Sequence, residues 1–71
     1  MTAAEARVAG ILEREYVALR DGDRDLIRFA RKHRTNARTL RRALTKMIGE
    51  RRARRVKDSA GTDWYAILKN F

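Results

Sequence analysis

Between Arg28 and Lys57 the chain carries thirteen basic residues and a single acid, Glu50. Like charges at that density repel one another and oppose compaction. Any fold that contains the segment must therefore leave these cations at its surface, and only the residues between them can enter a core. The apolar residues there recur at three- and four-residue steps, which is one face of an α-helix. Leu26, Phe29, Ala30 and His33 share one side of a segment from about 24 to 33, with Ile27 beside them and Arg28, Arg31 and Lys32 outward. Ala37, Leu40, Leu44, Met47 and Ile48, with Ala43 adjoining, do the same from about 36 to 52. The opposite face of that second stretch holds Arg38, Arg41, Arg42, Thr45 and Lys46. Between the two, Arg34-Thr35-Asn36 breaks the pattern, and Thr35 and Asn36 are good helix N-caps.

The flanks differ in charge. Met1–Ile27 has four basic and six acidic residues, and Asp58–Phe71 has two acids and one lysine. A net charge of +9 on 71 residues, concentrated in the middle, is the electrostatic footprint of a polyanion-binding surface. A chain of this length makes one domain, and a domain this small buries a modest fraction of its unfolded surface. With no cysteine and one histidine, neither a disulfide nor a thiolate zinc site is available to staple it. No metal and no cofactor is expected. Asp21, Asp23 and Asp25 resemble the start of a calcium loop, but its remaining ligands are missing. A glycine-rich phosphate loop and a nucleophile–base pair are both absent, so no catalytic residue, enzymatic activity or small-molecule substrate is expected. There is no run of about 18 apolar residues to cross a membrane. The N-terminus lacks the pattern of a secretory signal, so the cytoplasm, in contact with the nucleoid, is the expected location.

A first helix is expected from about 2 to 19. Thr2 followed by Glu5 fits a capping box, and Ala4, Val8, Ile11, Leu12, Tyr16 and Leu19 form its apolar stripe. Tyr16–Leu19 reads either as its last turn or as a short extended stretch. Arg20–Asp23 reads as a turn in which Gly22 can take positive φ, with Asp23 or Asp25 capping the next helix. His33 reads as a partly buried packing residue.

After Arg52 the helical period is lost. RRVKDSAGTDWYAIL (Arg54–Leu68) is two strand-like runs around a polar, glycine-containing turn, which reads as a β-hairpin. The competing reading ends a long basic helix near Lys57 and starts a last helix over 64–71. Either Trp64, Ala66 and Leu68 or Tyr65 and Ile67 would face inward.

Helix, helix, turn, helix and a basic hairpin, in that order, resemble the winged helix-turn-helix family of DNA-binding domains. The resemblance covers about Asp25 to Leu68. It rests on FARKHRTNARTLRRAL (Phe29–Leu44), which looks like the helix-turn-helix core, and on RRVKDSAGTDWYAIL, which looks like the wing. In the core, Ala30 falls where the helices cross and Leu40 and Ala43 fall at buried positions. The sequence departs from the family at two glycines: Arg34 stands where the turn often has one, and Arg51 stands where one commonly precedes the wing. The implied fold is mainly α, a single domain over 1–71 with a three-helix helix-turn-helix core and a C-terminal β-hairpin wing over about 53–68.

In such folds the third helix enters the DNA major groove and the second lies across the backbone. The resemblance thus implies that 36–48 is a recognition helix, with Asn36, Arg38, Arg41, Arg42 and Thr45 facing base edges. Arginine suits guanine and asparagine suits adenine. Arg31, Lys32, Arg34, Thr35 and Lys46 would meet phosphates, as would Arg54, Arg55, Lys57, Ser59 and Thr62 of the wing at 54–66. The implied partner is double-stranded DNA, and the implied role is a small transcriptional regulator. Its Ala/Arg usage suits a GC-rich bacterium, phage or plasmid. A second copy or a larger protein complex is a further partner, because one such unit contacts few base pairs. Two other readings stay open: an arginine-rich RNA-binding protein with one long helix over Arg38–Lys57, and a basic protein-interaction or inhibitor module.

Overall fold

The computed structural model describes residues 1–69. The element order is α1 (Ala3–Glu15), β1 (Ala18–Arg20), α2 (Asp23–Lys32), α3 (Ala37–Gly49), β2 (Ala53–Lys57) and β3 (Asp63–Ile67). The strands form one antiparallel sheet in the order β1-β3-β2. Three helices and a three-stranded sheet share one core: Val8, Ile11 and Leu12 from α1, Leu26 and Phe29 from α2, Leu40, Leu44 and Met47 from α3, and Leu19, Ala53, Tyr65 and Ile67 from the sheet.

The N-terminal capping box forms as expected. The Glu5 amide donates to Thr2 Oγ1 at 3.1 Å and the Thr2 amide donates to Glu5 Oε1 at 2.8 Å. α1 is shorter than its apolar stripe suggested, however, and Ala4 is exposed while Ala9 is buried. The chain turns extended at Tyr16, and Ala18–Arg20 pairs with β3 through Ala18↔Ala66, Leu19↔Tyr65 and Arg20↔Trp64. Of the two readings of Tyr16–Leu19, the extended one holds: Leu19 reaches the core from a strand and not from a last helical turn. The next turn also differs from expectation. Gly22 has φ −152°, in the extended region, and is itself the N-cap of α2, with no side-chain cap. Asp23 and Asp25 lie inside the first turn, where their charge favours the positive end of the helix dipole.

The hairpin reading holds. β2 pairs with β3 in the register Ala53↔Ile67, Arg55↔Tyr65, Val56↔Trp64 and Lys57↔Asp63. α3 stops at Gly49, so one long helix from Arg38 to Lys57 does not form, and Asp63–Ile67 is a strand where the competing reading put a helix. Residues 70 and 71 of that reading lie outside the described residues. Tyr65 and Ile67 face inward, whereas Trp64 and Ala66 lie on the sheet's outer face with Arg54 and Val56.

Both basic helices end on an arginine in the left-handed backbone region. Arg34 has φ 54° and Arg51 has φ 60°. Around Arg34 the Thr35 amide donates to the Ala30 carbonyl at 2.9 Å. Around Arg51 the Arg52 amide donates to Met47 O at 2.7 Å and the Arg51 amide donates to Ile48 O at 3.1 Å. These are the bonds of a Schellman closure, whose left-handed position is usually glycine. A left-handed non-glycine residue costs about 1–2 kcal/mol, and glycine returns part of that as chain entropy. Arg51→Gly is therefore expected to raise the denaturant midpoint, by about 0.5–1 kcal/mol of stability. An equal loss would show that the arginine side chain holds the turn.

Candidate nucleic-acid interface

The direction in which α3 presents its cations is fixed by what it buries. Leu40, Ala43, Leu44 and Met47 are all fully buried, at 0 % exposure. Arg38, Arg41, Arg42, Thr45 and Lys46 then lie on the other side, in an arc of about 140° at 100° per residue, and all are exposed. Asn36 caps the helix, its Oδ1 accepting from the Thr39 amide at 2.8 Å. Only its amide NH2 is left to meet a ligand. The Schellman turn at Arg34 sets the angle between α2 and α3, and exposes Arg34 itself at the corner.

Ion pairs divide the candidate base-reading residues. Arg38 and Arg42 make no ion pair among the described residues, so their guanidinium forks face solvent. Arg41 is held: Nη2 lies 2.8 Å from Asp23 Oδ1 and Nη1 lies 3.5 Å from Asp21 Oδ1. Thr45 Oγ1 donates back to the Arg41 carbonyl at 2.9 Å, which uses its proton within the helix.

The expected backbone contacts divide likewise. Arg31, Lys32, Arg34 and Arg54 are exposed and have no acidic partner among the described residues, and Thr35 is half-buried at the turn. Lys46 instead closes on Glu5, Nζ to Oε1 at 2.5 Å, and so joins α3 to α1. On β2, Arg54 and Arg55 point to opposite faces of the sheet, as strand alternation requires. Arg55 pairs with Asp21 at 2.5 Å and its guanidinium lies 5.6 Å from the Tyr65 ring centroid. Lys57 lies 3.5 Å from Asp63.

The hairpin tip is organised by Asp58, which in the sequence stands only as the first of a run of turn formers. Its Oδ1 accepts from the Ala60 and Thr62 amides at 2.9 and 3.0 Å, and its Oδ2 accepts from Trp64 Nε1 at 2.9 Å. The Trp64 hydrogen bond, then those amides, hold its carboxyl below the usual range. Gly61 supplies the left-handed residue of the tip, φ 80°. Ser59 is left exposed beside it and Thr62 half-buried. The signal for this was the distance from Asp58 to the turn amides, an Asx-type arrangement.

Glu5 was legible as a capping residue but not as a counter-ion, since Lys46 is 41 residues away. Its side chain is 4 % exposed. The Lys46 hydrogen bond, then the Thr2 amide, lower its pKa from 4.5 to about 2. A group depressed in the fold stabilises it above the ordinary value, and that contribution is lost as pH falls through the folded value. The thermal midpoint should therefore fall as pH drops from 4.5 towards 2, and should fall less steeply in Glu5→Gln. An identical slope in the variant would show that other carboxylates govern acid unfolding.

His33, at the end of α2, is a packing residue. Its ring centroid lies 4.5 Å from that of Phe29, and Nε2 lies 3.0 Å from Tyr16 Oη. Among the described residues no helix is long and apolar enough to cross a membrane. No protein-family model matches the chain, and neither does any curated protein or solved structure.

Proposed function

We propose that the chain is a sequence-specific double-stranded DNA-binding protein of winged helix-turn-helix type, a small transcriptional regulator of bacterial, phage or plasmid origin. The observation that carries this reading is the outward face of α3. It presents Arg38 and Arg42 without a counter-charge among the described residues, on a helix whose core side is fully buried. In this reading 36–48 enters the major groove. Arg38 and Arg42 fork onto guanine edges, the Asn36 amide reaches adenine N7, and Arg31, Lys32 and Arg34 hold phosphates. The hairpin at 54–66 follows the adjacent backbone with Lys57, Ser59 and Thr62. The left-handed Arg34 and Arg51 support the resemblance, because they occupy the two positions where the family commonly has glycine.

The test is fluorescence anisotropy against random duplex, single-stranded DNA and RNA at several salt concentrations. Duplex should bind tightest. With Arg31, Lys32, Arg34 and Lys57 on phosphates, log K should fall against log salt with a slope of roughly −3.6. Equal affinity for all three nucleic acids removes the claim that the protein reads sequence, and a slope near zero removes the electrostatic claim.

A further inference from the structure

Asp21 lies in the turn between β1 and α2, with its side chain only 13 % exposed. Its Oδ1 is 3.5 Å from Arg41 Nη1 and its Oδ2 is 2.5 Å from Arg55 Nη2. Arg41 comes from the outward face of α3 and Arg55 from β2. Among the described residues, Asp21 is the one acid that pairs with both the helix and the hairpin. Asp23 takes the other Arg41 nitrogen at 2.8 Å, and Asp63 lies 4.0 Å from Arg55 Nη2. Arg38, about one turn before Arg41 on α3, and Arg42, next to it in sequence, have no such partner among the described residues.

An arginine that reaches a phosphate gains affinity for any sequence, because phosphates carry no base information. An arginine held by a shielded carboxylate must first leave it, and that loss is subtracted from every duplex alike. Specificity is a difference of affinities, and it rises when the sequence-independent part is weakened. We propose that Asp21 is a specificity-determining residue: it withholds Arg41 and Arg55 from the backbone of arbitrary DNA and leaves Arg38 and Arg42 to read bases. The inference rests on the DNA-binding reading above.

The experiment measures affinity for a random-sequence duplex as a function of salt, for wild type, Asp21→Asn, Asp21→Glu and Arg55→Gln. Asp21→Asn should bind about tenfold tighter or more at 0.1 M salt, with a log–log slope steeper by about 0.9 when Arg55 alone reaches a phosphate and by about 1.8 when Arg41 also leaves its exposed partner Asp23. Asp21→Glu should behave as wild type. Arg55→Gln, which removes an arginine already held, should leave random-duplex affinity unchanged. A purely structural Asp21 would shift the melting midpoint of Asp21→Asn without steepening its slope. Wild-type binding with an unaltered or weaker Asp21→Asn overturns this inference alone, as does a tenfold loss in Arg55→Gln. Absence of any duplex binding by wild type overturns the DNA-binding reading and this inference with it.

Discussion

Replacing Arg38 and Arg42 together by alanine should weaken binding to a selected duplex by at least about 30-fold and leave the fold unchanged. Each bidentate contact to a guanine discriminates by about 1–3 kcal/mol, so two forks give roughly 2–6 kcal/mol, and each 1.4 kcal/mol is a factor of ten. The fold should not notice, because both side chains are exposed and make no ion pair among the described residues. A duplex chosen from a random library by wild-type binding, followed by anisotropy and a circular dichroism melt of both proteins, checks the prediction. Wild-type affinity in the double variant would move the reading surface away from α3. The contrasting variant is Lys46→Ala. It should disturb stability more than binding, because Lys46 already serves Glu5.

The second large effect concerns the core that aims this face. Leu44→Ala should cost about 2–5 kcal/mol, the usual range for a fully buried leucine. At about 0.05–0.15 kcal/mol per residue, a domain of 71 residues has only about 4–11 kcal/mol in total. The variant should therefore lose a large share of its stability. Small domains shift their melting midpoint by about 4–8 °C per kcal/mol, so the midpoint should fall by about eight degrees or more. Leu44 belongs to the one core cluster to which all three helices and the sheet contribute, so partial unfolding of one element is not expected. A melt that loses only a few degrees would mean that neighbouring side chains collapse into the vacated space.

Several elements could be read from the chain because their causes are local. The Thr2–Glu5 box, the Asn36 cap and the phase of Leu40, Leu44 and Met47 depend on neighbours within a turn or two. The hairpin was legible for the same reason: Asp58 to Asp63 is dense in turn formers, and the runs on either side alternate. β1 was not. Ala18-Leu19-Arg20 has too little pattern to favour a strand by itself, and it becomes one because β3 offers a free edge. The end of α2 was legible from the break at Arg34-Thr35-Asn36, whereas the end of α3 was obscured for a chemical reason, since a left-handed closure is usually marked by glycine and here it falls on Arg51.

The candidate site was legible as a set of cations and not as an arrangement of them. Sequence placed Arg38, Arg41, Arg42 and Thr45 on one helical face, and they are on one face. It could not tell which arginines are free, because that depends on acids distant in the chain. Arg41 meets Asp21 across 20 residues and Arg55 meets it across 34. The mildly acidic N-terminal third, which composition alone sets apart as a flank, supplies Glu5, Asp21 and Asp23 to pair with the basic middle. The charge that remains unpaired is thereby narrowed to a smaller set than thirteen.

The most direct test of the DNA-binding reading is a heteronuclear NMR titration with a duplex of about 16 base pairs. Amide shifts should concentrate at Asn36–Thr45 and around Lys57–Thr62, with Arg38 and Arg42 side-chain signals moving first and α1 nearly still. Shifts spread evenly over the surface, or gathered on α1 and the Trp64 face of the sheet, would contradict it.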